Sequence, residues 1–218
     1  MKKEFIFLGP PACGKGTQTN KLAKYLNFPH VDTGSLLRAE IKGETVAGKE
    51  AKLYIDKGQL VPVDLVANII KNRLSQEDCK NGYILDGYPR STEQADKLND
   101  INNSIDKEPA KFSAIYFDLD HDVLISRIVN RRSCPKCGEI YNLKYHPPKV
   151  DGLCDKCGEK LTQRKDDNEE TAEARFETYF RETAPLIDYY KNKGLLKTID
   201  ANGSIDDVWE RLLAIIND

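Results

Sequence analysis

Residues 9–17, with the sequence Gly-Pro-Pro-Ala-Cys-Gly-Lys-Gly-Thr, have the composition of a loop that binds phosphate. Gly9 and Gly14 permit tight turns that bring backbone N–H groups close to an anion, and Lys15 adds a mobile positive charge. The usual pattern has Ser or Thr directly after the lysine, but here Gly16 stands there and the threonine comes one position later. An ordinary glycine turn is the alternative, and a strand before the loop with a helix after it favours the phosphate site.

Four of the six cysteines form two Cys-x-x-Cys pairs, Cys134 with Cys137 and Cys154 with Cys157. Gly138 and Gly158 follow the second cysteine of each pair and permit the turn that aims two sulfurs at one metal ion. This spacing is typical of a structural zinc ribbon, because four thiolates complete a tetrahedral shell. Iron in place of zinc and two disulfides remain alternatives, and nucleic-acid binding is a second function for such a ribbon.

Arginines recur in short motifs outside the loop, and several of these motifs follow a predicted strand or open a predicted helix. They include Arg38, Arg90, Arg127, Arg131, Arg164 and Arg175. Arg127 and Arg131 are four residues apart and therefore share one face of a helix. Arginines that converge on one anion-binding loop would form a phosphoryl-transfer site, whereas each taken singly is also consistent with a solvated surface residue.

The elements that position these residues follow from apolar periodicity. Apolar runs predict strands at 5–8, 83–85, 114–117 and 195–199, with a shorter candidate at 29–32. Apolar stripes at helical spacing occupy 65–74, 123–129 and 205–216. Strands that alternate with amphipathic helices predict an α/β fold, a parallel sheet with helices on both faces. The polar segment 99–109 predicts a surface loop.

Two segments interrupt the alternation, 32–61 with two short helical patterns and 130–167 with the four cysteines. We expect both to be insertions over the carboxyl ends of the strands, where α/β proteins bind ligands. A chain of 218 residues with a net charge of −2 fits one main domain and gives little support to nucleic-acid binding. The cysteines are spaced as metal ligands, which suits a reducing compartment. The sequence also has no apolar run long enough to span a bilayer and no signal-peptide pattern. We therefore expect a cytoplasmic protein.

Taken together, the phosphate loop, the arginine motifs and the cysteine insertion resemble adenylate kinase in its long form with a zinc-binding lid. The match runs from residue 5 to the C-terminal helical pattern. It implies a P-loop fold with a five-stranded parallel sheet, in which 1–31, 62–129 and 168–218 form the core. Residues 32–61 would be the nucleoside-monophosphate-binding insertion and 130–167 the lid. The implied protein is a monomer without nucleic-acid or membrane partners.

The activity that the resemblance implies is the reversible transfer of the terminal phosphoryl group of ATP to AMP, giving two ADP, with Mg²⁺. The nucleophile would be an AMP phosphate oxygen that is already ionised, so no general base is required. Kinases for another nucleoside monophosphate are the nearest alternative. A zinc-ribbon nucleic-acid-binding P-loop ATPase is an alternative from a different class.

Site residues are implied position by position. ATP would contact Ala12, Cys13, Gly14, Lys15, Gly16, Thr17, Arg131, Ile140, Tyr141 and Gly203. AMP would contact Thr33, Arg38, Gln59, Leu60, Val61, Gly87, Tyr88, Pro89, Arg90, Gln94, Arg164 and Arg175. The catalytic cations would be Lys15, Arg90, Arg127, Arg131, Arg164 and Arg175. Thr17 and Asp86 would lie on the magnesium side, Asp86 through water, and the four paired cysteines would bind zinc.

One position departs from the family pattern, because Ser35 stands where an acidic residue usually helps to order the water shell of the magnesium ion. The thiol of Cys13 lies beside the phosphate-binding N–H groups of the loop, where it could be reactive, but a small residue filling a small space is the simpler interpretation. The three histidines, His30, His121 and His146, carry no chemical signal in the sequence.

Overall fold

A computed structural model describes residues 3–105, 111–164 and 167–217. The strands are β1 (Lys3–Leu8), β2 (His30–Asp32), β3 (Gly82–Asp86), β4 (Lys111–Asp118), β5 (Arg131–Ser133), β6 (Ile140–Asn142) and β7 (Leu196–Asp200). Five of them form a parallel sheet in the order β2-β3-β1-β4-β7. This arrangement confirms the predicted parallel sheet and each of its five strands. β5 and β6 form a separate antiparallel pair.

The helices account for most of the remaining chain. They are α1 (Lys15–Leu26), α2 (Thr33–Lys42), α3 (Val46–Ile55), α4 (Val63–Leu74), α5 (Thr92–Ile105), α6 (His121–Val129), α7 (Glu169–Thr178), α8 (Pro185–Asn192) and α9 (Ile205–Asn217). The three predicted helical stripes lie in α4, α6 and α9, and the two short patterns of 32–61 are α2 and α3. A single π-helical turn, Tyr179–Thr183, joins α7 to α8.

Strand β1 explains why helices cover both faces of the sheet. Its side chains alternate between two buried clusters, because successive residues of a strand point to opposite faces. Ile6 and Leu8 pack with buried side chains of α4 and α5. Phe5 and Phe7 pack with buried side chains of α1 and α9. An apolar run without alternation is therefore the pattern that a central parallel strand requires.

The predicted surface loop at 99–109 is wrong for its first seven residues. Helix α5 continues to Ile105, and residues 106–110 lie outside the described part of the chain. Leu98 and Ile101 are buried and continue the apolar face of the helix at a spacing of three. Asn102 is held by Tyr83 and donates to Glu4, so a residue expected in a loop is part of the packed structure. The prediction failed because the segment is mostly polar, and its apolar face consists of only a few side chains, including Leu98 and Ile101.

Among its described residues, the cysteine insertion at 130–167 has little apolar core. Its hairpin, β5 and β6, is extended by a bridge between Ser133 and Thr162. Gly138 and Gly158 adopt φ of +75° and +69°, the left-handed conformation expected for the turns after each cysteine pair.

Within the described residues, no helix has the length and apolar character needed to cross a membrane.

Candidate active site at the carboxyl edge of the sheet

The predicted binding segments start where the parallel strands end. β1 leads directly into the phosphate loop, β2 into Thr33, and β3 into residues 87–90. The register pairs Asp32 with Asp86 across β2 and β3, at the last residue of each strand. Because all five strands run in the same direction, segments far apart in sequence meet at one edge of the sheet.

The phosphate loop is closely packed against the sheet at Gly9. This residue has a φ of +145°, and a Cβ atom there would lie 2.8 Å from both Cys13 Sγ and the carbonyl oxygen of Phe117. Gly14, in the left-handed conformation, directly precedes α1. Lys15 Nζ donates to the carbonyl oxygens of Gly9 and Pro10, at 2.6 and 2.9 Å. The loop therefore curls around its own lysine.

Gly16, which stands where the usual pattern has Ser or Thr, lies close to β3 and to the cysteine insertion. A Cβ atom at Gly16 would lie 3.4 Å from Asp86 Oδ2 and 3.8 Å from Ile140 Cδ1. The first turn of α1 is thus approached by a carboxylate at the end of β3 and by an apolar side chain of the lid. Thr17 lies one residue further along the same turn.

Asp86 is buried and has a partner that the sequence did not reveal. His30 Nε2 lies 3.4 Å from Asp86 Oδ2, and His30 Nδ1 lies 2.9 Å from Asn20 Oδ1. Burial alone would raise the pKa of Asp86, but His30, Lys15 and Arg90 outweigh it and lower that pKa below its usual range. The carboxylate is therefore ionised at neutral pH. The available signal was a histidine at the start of a short strand that pairs with the strand ending in the predicted metal-side aspartate.

Three arginines of the predicted site lie around one buried carboxylate at the end of the lid insertion. Arg131 donates two hydrogen bonds to Asp167, and Arg175 Nη1 lies 3.6 Å from the same side chain. Arg164 is mostly buried, and burial together with the charges of Arg131 and Arg38 lowers its pKa to about 10. Cations this close together, with one carboxylate between them, form a site suited to a polyanion.

Arg127 faces the phosphate loop. Its Nη1 would lie 3.9 Å from a Cβ atom at Gly14, and its guanidinium group lies 5.6 Å from the ring centre of Tyr145. Burial lowers its pKa. Arg90 Nε donates to the carbonyl oxygen of Gly87, so this arginine stays at the end of β3.

The predicted acceptor segments lie beside β2 and β3. The buried Thr33 Oγ1 has no hydrogen-bond partner among the described residues, which leaves it available to a ligand. Gln94 is buried, and its Oε1 accepts from the N–H of Arg90. Gly58 packs against Ala174 and Arg175, which brings the end of the first insertion, with Gln59, Leu60 and Val61, next to α7.

Asp32 lies beside Ser35, the position where the family pattern has an acidic residue. Its carboxylate accepts hydrogen bonds from the N–H groups of Gly34 and Ser35 and from Ser35 Oγ. Arg38 Nη2 lies 3.3 Å from the same carboxylate and donates to Ser35 Oγ at 3.0 Å. The helix start therefore retains a negative charge one turn away from the expected position.

The four paired cysteines form one compact cluster. Their sulfur atoms all lie within 4.8 Å of one another, and all four are free thiols. The Cys134–Cys157 and Cys137–Cys154 sulfur distances of 3.4 and 3.5 Å are too long for disulfide bonds, so the disulfide alternative is wrong. Four sulfurs converging from two turns fit a tetrahedral metal ion.

Two predicted ATP contacts are placed differently from the rest. The side chain of Tyr141 is buried against the cysteine cluster, with its hydroxyl 3.5 Å from Cys154 Sγ. A contact from residue 141 to a nucleotide would therefore involve the backbone. Gly203 lies on the exposed loop after β7, where a Cβ atom would lie 3.0 Å from Asp207 Oδ2.

The chain is similar in sequence to known proteins over nearly its whole length. Residues 7–195 match the family model described as adenylate kinase. The chain is 47% identical over 211 residues to an adenylate kinase of Thermodesulfovibrio yellowstonii, covering 97% of each chain. It is 47% identical over 205 residues to one of Caldanaerobacter subterraneus subsp. tengcongensis, covering 94% of this chain and 92% of the relative. An adenylate kinase of Clostridium perfringens is 43% identical over 216 residues, covering 99% and 98%.

Proposed function

The chain belongs to the adenylate kinase family, and from that premise we propose how its own residues divide the work of phosphoryl transfer. The protein is a nucleoside monophosphate kinase that transfers a phosphoryl group from ATP to AMP and uses Mg²⁺ with ATP. One observation carries the assignment of roles: a phosphate loop, two insertions and several arginines, distant in sequence, converge at the carboxyl edge of the sheet.

The donor half consists of the phosphate loop and the lid. Residues 12–17 bind the ATP phosphates through backbone N–H groups and the start of α1. Lys15 exchanges its carbonyl partners for phosphate oxygens, since its ammonium group already lies in the curl of the loop. Arg131, the segment 140–141 and Gly203 complete this half.

The acceptor half is built around Thr33 and Arg38. Thr33 Oγ1 is buried without a partner among the described residues and serves the AMP base. Arg38 and Arg90 bind the AMP phosphate, with 59–61, 87–89 and Gln94 lining the rest. Arg164 and Arg175 extend from the other side of the cleft and bridge the two phosphate chains, which relieves the repulsion that Arg164 experiences from Arg131 and Arg38.

Transfer then depends on positioning and charge neutralisation. The attacking AMP oxygen is ionised at neutral pH, so the residues named here orient it and stabilise the charge spread over the moving phosphoryl group. Lys15, Arg127 and the four other catalytic arginines supply that positive charge. A magnesium ion bound with ATP would add to it. The ionised, buried carboxylate of Asp86 fits a hydrated hard cation, with Thr17 on the same side.

Replacement of the loop lysine tests the central assignment. Lys15→Met should lower the turnover number by about 10³-fold, because it removes one preorganised cation from the transition state. The matched control is Lys24→Met, an exposed lysine of the same helix, which should leave turnover unchanged. Near-normal ADP formation by Lys15→Met would overturn the assignment. An assay of the wild-type protein with AMP, UMP, CMP and GMP as acceptors separates adenylate kinase specificity from the nearest alternative.

We propose three structural units with the boundaries given above: the core, the insertion 32–61 and the lid 130–167. In the lid, Cys134, Cys137, Cys154 and Cys157 bind a structural zinc ion that organises a segment with little apolar core. Metal analysis distinguishes zinc from iron. Chelation should lower the melting temperature and expose the lid to proteases, and unchanged melting and cleavage would rule out the structural metal.

The remaining assignments concern the protein as a whole. We propose that the protein is cytoplasmic, because the cysteines form a metal-type cluster of free thiols, which suits a reducing compartment. We also propose that it is a monomer without nucleic-acid or membrane partners. Sedimentation of the purified protein tests the monomer.

A further inference from the structure

The lid hairpin has two different faces. The register pairs Arg132 with Tyr141 and Ser133 with Ile140. Because directly opposed residues share a face and successive residues alternate, Tyr141 lies on the face opposite to Ile140. Ile140 Cδ1 approaches Gly16 in the phosphate loop. Tyr141 is buried in the small lid cluster with Cys134, Cys154 and Leu161.

The hydroxyl group of Tyr141 is directed at a candidate metal ligand. The N–H of Asp155 donates to Tyr141 Oη at 2.8 Å, so the oxygen already accepts one hydrogen bond. Its own hydrogen remains for Cys154 Sγ, 3.5 Å away. A metal-bound thiolate only accepts, so Tyr141 would donate to it. The ring stacks on His146 with an interplanar angle of 4°, which limits its orientation further.

We propose that Tyr141 is a positioning residue that couples the metal site of the lid to the ATP-facing side of the lid hairpin. The hydroxyl ties β6 to Cys154, and the next residue, Ile140, faces the phosphate loop from the other side of the same strand. This inference rests on the structural metal ion proposed above. Partners in the outer shell orient metal ligands, and their loss commonly weakens metal sites by tenfold or more.

Tyr141→Phe tests the coupling, because it keeps the buried ring and its stacking and removes only the hydroxyl. We expect zinc to pass to an excess of a chromophoric chelator about tenfold faster than from the wild-type protein. We also expect the KM for ATP to rise about threefold or more, while the KM for AMP stays within about twofold of wild type. The matched control is Tyr25→Phe, a 56% exposed tyrosine of α1, which should change none of the three values.

A second measurement uses only the wild-type protein and applies if Tyr141→Phe fails to fold. Coupling between two sites is reciprocal, so a non-hydrolysable ATP analogue with excess Mg²⁺ should slow zinc release, whereas AMP alone should not. Equal release rates with and without the analogue would overturn the proposal, as would wild-type release rates in a folded Tyr141→Phe variant.

Metal content separates the two levels of failure. If the purified wild-type protein holds one zinc ion and Tyr141→Phe behaves like wild type, the coupling is wrong and the structural metal stands. If the purified protein holds no metal and binds none on titration with zinc, the proposed metal site fails and the coupling fails with it.

Discussion

Arg131 Nε donates to Asp167 Oδ2 at 2.8 Å, and the same guanidinium group makes a second hydrogen bond to Oδ1. The two residues stand at opposite ends of the cysteine insertion, so this pair closes the base of the lid. The Asp167 side chain is fully buried, and Arg175 approaches it as well. One carboxylate thus holds in place two arginines to which we assign phosphate contacts.

Asp167→Asn should lower the free energy of unfolding by about 3 kcal/mol, because it removes a buried negative charge that the Arg131 and Arg175 guanidinium groups share. ATP should restore part of the loss, since its phosphates supply new negative charge. Urea unfolding with and without nucleotide measures both effects. The control, Asp206→Asn, breaks the exposed Lys21 pair and should cost about 0.5 kcal/mol or less. Equal losses in the two variants would contradict this role.

Arg164→Met should stabilise the nucleotide-free protein while abolishing most turnover. The folded-state pKa of Arg164, about 10, lies below its ordinary value, so the unfolded chain binds this proton more tightly. The penalty of the charged form is therefore fully present at neutral pH and would fade only as the pH rises above about 10. We expect the melting temperature at neutral pH to rise by about 2–4 °C.

Scanning calorimetry of Arg164→Met beside Arg181→Met provides the control, since Arg181 is exposed and paired with its neighbour Glu182. The control should melt within about 1 °C of wild type. A lower melting temperature for Arg164→Met than for Arg181→Met would show that Arg164 stabilises the empty site.

Gly9→Ala should lower the free energy of unfolding by about 3 kcal/mol or more and weaken ATP binding. The reason is that the new Cβ atom would lie 2.8 Å from both Cys13 Sγ and a backbone carbonyl oxygen. Gly194→Ala is the matched comparison, with a positive φ of +67° but no neighbour within 4 Å of the added carbon. Gly194→Ala should lower the free energy of unfolding by only about 1 kcal/mol. Urea unfolding and ATP titration of both variants measure the difference, and similar losses would mean that backbone conformation alone matters at Gly9.

His30→Leu should raise the pKa of Asp86, because it removes one of the groups that lower this pKa while burial still raises it. A depressed carboxyl pKa contributes stability that is present above the ordinary pKa and is lost as the pH falls through the folded-state value. In His30→Leu, Asp86 should therefore contribute less to the loss of stability on acidification, and its contribution should be lost completely at a higher pH than in the wild-type protein. The free energy of unfolding between pH 3 and 7 measures this shift. His30→Gln, which retains a hydrogen-bond donor, should recover part of the wild-type profile, and superimposable profiles for Leu and wild type would refute the pairing.

Several features of the site follow directly from local sequence. The order of apolar run, glycine loop and helical stripe around Lys15 predicted β1, the loop and α1, because strand and helix periodicities are visible within a few residues. The cysteine spacing predicted a single cluster, since each Cys-x-x-Cys turn positions two sulfurs locally. The same local approach failed at residues 99–105, where tertiary packing of Leu98 and Ile101 outweighs the polar composition of the segment.

Sequence by itself determined which residue types are available and the elements that carry them: a phosphate loop, anion-binding arginines and four thiols. Tertiary structure alone decided which of them meet. The pairings of His30 with Asp86 and of Arg131 with Asp167 join residues 56 and 36 positions apart. Such contacts depend on strand order and on the path of the lid, which no local periodicity encodes. Parallel strands bring their carboxyl ends to one edge, and burial there turns separate charges into one site.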